Sequence, residues 1–314
     1  MKKIVVRIIT YNQEDVIARA IESILCQKNW GLYRVIISDD CSQDQTWEIL
    51  KKYQEAYPNL IYIYRNEHNL GIYKNIAKAD SYLPCDYDLF CGLAGDDVYC
   101  DGYFEAVQKL IEKNNVDTNK AIGVYSDWLS VEPGGKEIIH CQKVVQKGHS
   151  LTSLKLRGAI SGRSLLMTKT VKDNYAPMIF GQGLALTEGN YDLQPHLIIK
   201  KAYYLPQTTT VYYSGLGIST KLGVSNSDYY TTQYKNMWQY YIDHYITTKK
   251  DLYFAKYQLC KSDFLISPTL SLYFKMLLFH KRGRLALCQG PIFKEIRLFA
   301  SLFKYYLKHI KRNG

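Results

Sequence analysis

The chain has 314 residues, of which 47% are hydrophobic and 22% are charged, and this globular composition excludes wholesale disorder and a fibrous architecture. The formal net charge of +11 is unevenly distributed, because residues 1–229 hold 25 basic and 25 acidic residues whereas residues 230–314 hold 15 basic and 4 acidic ones. This basic C-terminal part predicts an anionic partner, either a nucleic acid or a membrane surface. No two of the eight cysteines have CxxC spacing, so a zinc or redox motif has no support.

Short apolar runs alternate with helical patterns along the first 130 residues. Their periods predict strands at Ile4–Ile9, Val35–Ser38, Leu60–Tyr64, Tyr87–Cys91 and Ala121–Ser126, separated by helices at 14–27, from Ser42, at 72–82 and at about 102–114. Ser42 and Gln45 have the spacing of a capping box at the start of the second helix. Because parallel neighbouring strands need crossover helices, this alternation predicts a doubly wound, mostly parallel α/β sheet.

The pattern changes after residue 130. Two further strands are predicted, at Ser164–Thr168 and near Thr210–Tyr213, and the chain is helical in pattern from residue 230 onward. This change predicts an α/β domain at 1–225, with halves at 1–130 and 131–225, and a basic, amphipathic helical region at 226–314.

Polar residues follow three of the predicted strands. They are the pairs Thr10–Tyr11, Asp39–Asp40 and Asp96–Asp97. Ligands of open α/β sheets bind beyond the carboxyl ends of the strands, so these pairs are the candidate site. The first strand lacks the glycine-rich fingerprint of dinucleotide-binding folds, and the sequence contains no P-loop.

Each acidic pair has a functional and a structural interpretation. The carboxylates of Asp96 and Asp97 suit Mg²⁺ or Mn²⁺, which binds through one or two carboxylates and substrate phosphates. Alternatively, one of them caps the helix that follows. Asp39–Asp40 could accept hydrogen bonds from a base or ribose, whereas the neighbouring Ser42 and Asp44 are expected to start a helix.

The segments TYN-x-E, SDDCSQDQT, NLGIYKN and AGDD, in this order and spacing, resemble the bacterial glycosyltransferases of family 2, which have the GT-A fold. The resemblance covers residues 1–130 well and residues 160–220 loosely. It implies a hexosyltransferase-type enzyme that moves a sugar, with inversion, from a nucleotide-sugar, above all a UDP-sugar, to a hydroxyl of a glycan or lipid-linked oligosaccharide. The implied pathway is bacterial surface polysaccharide synthesis: capsule, O-antigen or lipopolysaccharide. Residues 1–130 would bind the donor, and residues 131–225 the acceptor.

The resemblance also assigns residues to the donor site. Asp96 would face the ribose and donor sugar, and Asp97 would bind an Mn²⁺ or Mg²⁺ ion that bridges the diphosphate. These two match the last positions of the DxD motif, but Ala94 replaces its first Asp, so one protein carboxylate ligand is expected. The other donor-site positions are Thr10, Tyr11 and Glu14 in the first loop, Asp39 and Asp40 at the base and ribose, and Lys74 on the nucleotide side.

A general base must take the proton of the acceptor hydroxyl. The family usually carries an adjacent Glu-Asp pair at a helix start, and this chain has no such pair between Leu186 and Pro195. Pro195 favours a first helical turn, which would place Asp192 near the N-cap and make it a candidate base. Glu188 is the other candidate, and a purely capping role for Asp192 stays open.

The C-terminal region combines apolar stripes with positive charge. Phe264–Phe279 is an apolar segment that Pro268 and Lys275 interrupt. The segment is too short to span a membrane, but it suits burial at a lipid interface. Residues 262–314 are therefore expected to contact the inner face of the cell membrane, with the enzyme cytoplasmic and peripheral. The structural alternative is a helical subdomain packed on the α/β domain.

Two other classes of protein compete with the transferase. A nucleic-acid-binding protein with a basic helical tail is disfavoured because residues 1–229 carry no net charge and the basic residues lie on strongly apolar helices. A nucleotidyltransferase usually needs a glycine-rich, basic loop after the first strand, and TYNQED is neither.

Overall fold

The computed structural model describes residues 1–175, 186–214, 227–283 and 299–307. These residues fall into two compact units. The first unit holds the described residues up to 175 and residues 191–214, and the second holds 186–190 and the described residues from 227 onward.

The strands found in the described ranges are β1 (Ile4–Thr10), β2 (Leu32–Asp39), β3 (Ile61–Arg65), β4 (Leu89–Ala94), β5 (Val98–Tyr99), β6 (Ile122–Val131), β7 (Glu137–His140), β8 (Leu165–Thr168) and β9 (Lys201–Tyr213). The helices are α1 (Ile17–Leu25), α2 (Thr46–Ala56), α3 (Ile72–Asp80), α4 (Tyr103–Lys113), α5 (Leu151–Leu156), α6 (Lys169–Asp173), α7 (Leu186–Ile198), α8 (Ser227–His244), α9 (Lys249–Ile266) and α10 (Leu270–Gly283). A 3₁₀ turn spans Lys143–Lys147, and residues 299–307 are helical.

The strands form one mixed sheet in the order β3-β2-β1-β4-β8-β6-β9-β5, with β7 added to β6. The strands β3, β2, β1 and β4 are parallel neighbours, as are β6 and β9, whereas β8, β7 and β5 pair antiparallel. The predicted α/β fold with a mostly parallel sheet and a helical C-terminal region is confirmed. Because β1 lies between β2 and β4, the crossovers change direction there, and such a switch point is where ligands bind.

Both faces of β1 are buried, which explains its nearly continuous run of β-branched residues. On one face Ile4, Val6 and Ile8 pack with residues of α1 and α4 in the larger hydrophobic cluster. On the other face Val5 belongs to a second cluster that includes Phe90 of β4 and residues of α5. The sheet is thus covered by helices on both sides, and its polar strand ends remain for a ligand.

Two predicted helix caps are wrong. The Ser42–Gln45 capping box does not form, because the Ser42 hydroxyl bonds to the carboxylate of Asp39 and α2 begins at Thr46. Capping by Asp96 or Asp97 is wrong as well, since the short strand β5 follows them. The next helix, α4, has Gly102 at its N-cap with φ 73°.

The predicted place of Asp192 near a helix N-cap is also wrong. The helix α7 begins at Leu186, so Asp192 lies in its interior, and Pro195 lies inside the helix instead of in the first turn. The amide of Ile199 still donates to the carbonyl of Pro195 at 2.9 Å, so the helix continues past the proline.

The second unit is helical, as its sequence pattern predicts. The helices are separated at Pro268, because α9 ends at Ile266 and α10 begins at Leu270. The two helices pack with the helical residues 299–307 around a small hydrophobic cluster that contains Phe264, Met276 and Phe299. No helix in the described ranges is long and apolar enough to cross a membrane.

Candidate active site

The carboxyl ends of β1, β2 and β4 meet at one edge of the sheet. Thr10 pairs in register with Asp39, and the carbonyl of Thr10 accepts from the amide of Asp40 at 2.9 Å. On the other side of β1, the amide of Gly95 donates to the carbonyl of Ile9 at 3.0 Å. The three predicted polar segments are therefore adjacent at the switch point.

The loop after β1 is tied to the loop before α2 by reciprocal hydrogen bonds. The amide of Asn12 donates to Ser42 Oγ at 2.9 Å, and Asn12 Oδ1 accepts from the amide of Gln43 at 2.8 Å. Glu14 Oε2 accepts from the amide of Gln45 at 2.7 Å, so this predicted donor-site carboxylate also anchors the start of α2. Tyr11 lies half-buried in the same loop.

Asp39 is completely buried at the end of β2. Its carboxylate accepts from the amide of Ser42 at 3.1 Å and from the Ser42 hydroxyl, and it forms an ion pair with Arg65 Nε at 3.3 Å. Burial raises the pKa of Asp39, against the opposing effect of Ser42 and Arg65. The side chain is thus fixed, and any ligand would meet a preorganised acceptor.

Asp40 holds together the segment in front of α3. Its Oδ1 accepts from Asn66 Nδ2 and from the amide of Leu70, both at 2.8 Å, and its Oδ2 accepts from the amide of Gly71 at 2.8 Å. Only 3% of Asp40 is exposed. The segment before α3 is therefore organised by Asp40, which also fixes the start of the helix that carries the exposed Lys74.

Asp96 and Asp97 are buried directly after β4, each 6% exposed. Asp97 Oδ1 accepts from the amide of Tyr213 at 3.2 Å, and Arg19 Nη2 donates to the carbonyl of Asp96 at 3.0 Å. Burial and the negative charge of Asp96 raise the pKa of Asp97 to about 7. Burial also raises the pKa of Asp96.

Gly95 allows the first loop to approach this pair. A Cβ at Gly95 would lie 2.3 Å from Gln13 Oε1 and 3.1 Å from Thr10 Cβ. A larger residue would therefore separate the Asp96–Asp97 turn from the loop after β1.

The chemistry of the Asp96–Asp97 pair fits a divalent cation. Two buried carboxylates with raised pKa values repel each other, and a hard cation would relieve that repulsion. No group of three or more His, Cys, Asp and Glu side chains is placed to hold a metal within the described chain. A cation here would therefore take its remaining ligands from substrate phosphates and water.

The two candidate bases lie on α7. Asp192 has a half-exposed side chain and forms an ion pair with Lys155 of α5 at 3.6 Å. Among the described residues, no hydrogen bond or ion pair joins Asp192 to the strand-end carboxylates. The side chain of Glu188 lies outside the part of the chain that the structure describes.

A buried network holds α7 against the sheet. Arg7 in the middle of β1 pairs with Asp80 at 2.9 Å and hydrogen-bonds the hydroxyl of Tyr191, the residue before Asp192. Lys172 of α6 pairs with the same Asp80 at 2.6 Å. Gly92 leaves the space for Arg7, because a Cβ there would lie 2.6 Å from Arg7 Nη2.

Sequence reasoning missed the three arginines nearest the site. Arg65 lies at the end of β3 beside Asp39, and Arg19 contacts Asp96 across 77 residues of sequence. Arg163 precedes β8, and its positive charge opposes the rise that burial causes in the pKa of both Asp96 and Asp97. The position of Arg65 at the end of a strand could have predicted its place in the site. The contacts of Arg19 and Arg163 arise from tertiary packing, so no sequence pattern indicates them.

The comparisons with known proteins agree with this geometry. Residues 5–152 match the family described as Glycosyl transferase family 2. This stretch contains β1 to β7 and every predicted donor-site residue. Residues 5–152 thus carry the match to glycosyl transferase family 2, and the resemblance seen in the motifs is confirmed.

Individual relatives cover only parts of the chain. The processive diacylglycerol beta-glycosyltransferase of Mycoplasma pneumoniae is 31% identical over 109 residues, which are 34% of this chain and 31% of that protein. The dTDP-rhamnosyl transferase RfbG of Shigella flexneri is 32% identical over 123 residues, 37% of this chain and 41% of that protein. The chain spans between 26% and 41% of the length of the curated relatives that it matches.

Solved structures extend the likeness of the fold. The crystal structure of S. aureus TarS 1-349 in complex with UDP-GlcNAc is similar with a TM-score of 0.59 and 16% identity, covering 90% of this chain and 78% of that one. At this identity the likeness concerns the fold, and it confirms the GT-A-type architecture that the motifs imply.

Proposed function

We propose that this chain is an inverting, metal-dependent glycosyltransferase that moves a sugar from a UDP-sugar to a hydroxyl of a glycan or lipid-linked oligosaccharide. The observation that carries the proposal is the buried Asp96–Asp97 pair at the switch point, beside the loop after β1. The family 2 match of residues 5–152 and the UDP-GlcNAc complex of TarS support it. The pathway we propose is bacterial surface polysaccharide synthesis, as for a capsule, O-antigen or lipopolysaccharide.

The donor would lie across the ends of β1, β2 and β4. Thr10, Tyr11, Glu14, Asp39, Asp40 and Lys74 would surround the nucleotide, and of these Asp40 and Glu14 act mainly by fixing loops. Asp97 would hold Mg²⁺ or Mn²⁺, and the neighbouring Asp96 would face the ribose and the donor sugar. When bound, such an ion supplies Lewis-acid neutralisation of the charge that develops on the diphosphate. Asp192 or Glu188 of α7 would accept the proton of the acceptor hydroxyl.

The helical unit supports a peripheral membrane location. Leu270, Phe274 and Leu278 follow one another at intervals of four residues on α10 and are 44%, 59% and 45% exposed. The exposed Lys281 and Arg282 come directly after them. Because exposed apolar side chains and cations coincide on one helix, we propose that α10 lies on an anionic membrane surface, which on the cytoplasmic leaflet would bring the enzyme to a lipid-linked acceptor.

A nucleotide-sugar panel tests the proposed reaction. The purified chain is incubated with UDP-, GDP-, dTDP- and CMP-sugars in Mn²⁺ or EDTA, with bacterial lipid and glycan fractions as acceptors. We expect release of UDP that EDTA abolishes, and a thermal shift with the UDP-sugar, since a ligand at 100 times its Kd adds about 2.7 kcal/mol. Release of pyrophosphate would indicate a nucleotidyltransferase instead, and a chain that binds none of the panel is not a nucleotide-sugar transferase.

A further inference from the structure

An aromatic cluster lies at the same sheet edge as Asp97, contributed by β6, β7 and β9. The Trp128 and His140 rings stack with centroids 3.7 Å apart, and Trp128 meets Tyr212 edge-on at 6.2 Å. His140 is held by a 2.9 Å hydrogen bond between its Nε2 and Ser130 Oγ. The cluster is therefore a fixed surface made from three strands.

Arg163 lies on this surface. Its guanidinium carbon is 3.8 Å from the centroid of the Tyr212 ring and 5.4 Å from that of Trp128. Arg163 is exposed, and within the described residues its guanidinium makes no ion pair and no hydrogen bond. These ring contacts hold the guanidinium in place while leaving its N–H donors for a ligand, and a planar fork of donors matches the oxygens of phosphate and carboxylate.

The other arginines near the site differ from Arg163. Arg7 and Arg65 pair with Asp80 and Asp39, respectively. Arg19 donates to a backbone carbonyl. Within the described residues, the Arg163 guanidinium is thus an exposed arginine cation of the site that makes no ion pair, and Asp96 and Asp97 act on it only through longer-range charge.

The topology places Arg163 on one side of the carboxylates. Because β8 runs antiparallel to β4, its start lies at the carboxyl end of β4, and Arg163 comes two residues before that start. In the sheet order, β8, β6 and β9 lie on the opposite side of β4 from β1 and β2, whose ends form the proposed nucleotide site. Tyr212, under Arg163, adjoins Tyr213, whose amide binds Asp97. Arg163 therefore lies next to the reacting position but away from the nucleotide loops.

We propose that Arg163, stacked on Tyr212 and Trp128, binds an anionic substituent of the acceptor, a phosphate or a carboxylate, next to the hydroxyl that receives the sugar. The inference rests on the proposed function and adds an acceptor class to it: an anionic glycan or polyol. The guanidinium would pair with the anion while the Trp128–Tyr212 surface contacts the apolar face of the adjoining sugar or polyol.

Binding to the UDP-loaded protein tests the inference. With the donor site saturated by UDP and Mg²⁺, the chain is titrated with glycerol 3-phosphate and, as a neutral match, with glycerol. We expect the wild-type chain to bind glycerol 3-phosphate and not glycerol. R163Q should lose at least tenfold in affinity for glycerol 3-phosphate. The affinity of R163K should lie between those of the wild type and R163Q, because lysine keeps the positive charge but lacks the planar fork of N–H donors. R34Q is the matched control. The guanidinium carbon of Arg34 also lies over tyrosine rings, 5.1 Å from the centroid of Tyr33 and 5.0 Å from that of Tyr62. Arg34 lies near the start of β2, however, at the opposite end of that strand from Asp39.

UDP affinity separates the outcomes. If R163Q binds UDP like the wild type and loses only the glycerol 3-phosphate, the acceptor assignment holds. A tenfold loss of UDP affinity in R163Q would mean that Arg163 binds the donor diphosphate, and this would overturn the inference. Equal phosphate binding by wild type, R163Q and R34Q, or none by any of them, would overturn it as well. A wild-type chain that fails to bind UDP would contradict the proposed function itself.

Discussion

Removing the negative charge of Asp80 should destabilise the first unit strongly. Asp80 is the shared partner of Arg7 and Lys172, and the side chains of these three residues are only 16%, 7% and 8% exposed. D80N keeps the shape of the side chain but leaves two buried cations next to each other. Breaking a buried pair in this way costs about 3–5 kcal/mol. At about 2–4 °C per kcal/mol for a domain of 150–250 residues, Tm should fall by roughly 6–20 °C.

The loss of folding stability in D80N should depend on pH in a defined direction. Burial lowers the pKa of Lys172, and Asp80 opposes that effect, so D80N should lower the pKa further. A lysine with a lowered folded pKa contributes its full stability only above the ordinary value of about 10.4, and this stability is lost as pH falls toward the lowered value. D80N should therefore regain stability between pH 7 and pH 10, by more than the wild type does.

Denaturant unfolding and hydrogen–deuterium exchange provide the measurements. D86N is the matched control, because Asp86 pairs with Lys3 at 3.1 Å on the surface and its loss should leave Tm unchanged. In D80N, faster exchange is expected in α7, since Tyr191 bonds to Arg7. A Tm within 2 °C of the wild type, or a loss that is equal at pH 7 and pH 10, would refute the argument that Asp80 compensates two buried cations.

Three further predictions address the metal site, the general base and the membrane contact. D97N should lower turnover by at least a hundredfold while leaving Tm within a few degrees, and full activity with Mn²⁺ would remove the metal assignment. If Asp192 is the general base, D192N should abolish sugar transfer but keep the affinity for UDP. If only E188Q shows this phenotype, Glu188 is the base. Normal transfer by both variants would exclude both residues as the base. Replacing the exposed Phe274 and Leu278 by Ser should reduce flotation with anionic liposomes several-fold at low salt, and recovery equal to that of the wild type would contradict the membrane contact.

Local patterns predicted most of the sheet because its buried strands are short apolar runs. The predicted strand Ile4–Ile9 is β1, and its ending at Thr10 placed the first candidate residues correctly. The strands β5 and β7 were missed, since the first has two residues and the second lacks an apolar alternation. Both exist because β9 and β6 offer them ladder partners, which sequence patterns do not show.

Errors in the site arose where tertiary contacts outweigh local rules. Ser42 and Gln45 have the spacing of a capping box, but the Ser42 hydroxyl donates to the buried carboxylate of Asp39 instead. Pro195 suggested a helix start, yet the helix α7 begins nine residues earlier, at Leu186. The arginines Arg19 and Arg163 act on Asp96 and Asp97 from distant segments, so no spacing rule could have found them.

The two acidic pairs at the sheet edge have different physical roles. Asp40 uses its carboxylate on Asn66, Leu70 and Gly71, so its loss would free the segment in front of α3 and weaken donor binding indirectly. Among the described residues, Asp97 accepts one hydrogen bond, from the amide of Tyr213 at 3.2 Å. The negative charge of Asp96 raises its pKa, and the charges of Arg163 and Arg19 oppose that effect. Asp40 therefore builds the site through contacts within the protein, whereas the Asp96–Asp97 pair concentrates negative charge that a substrate-bound cation would neutralise.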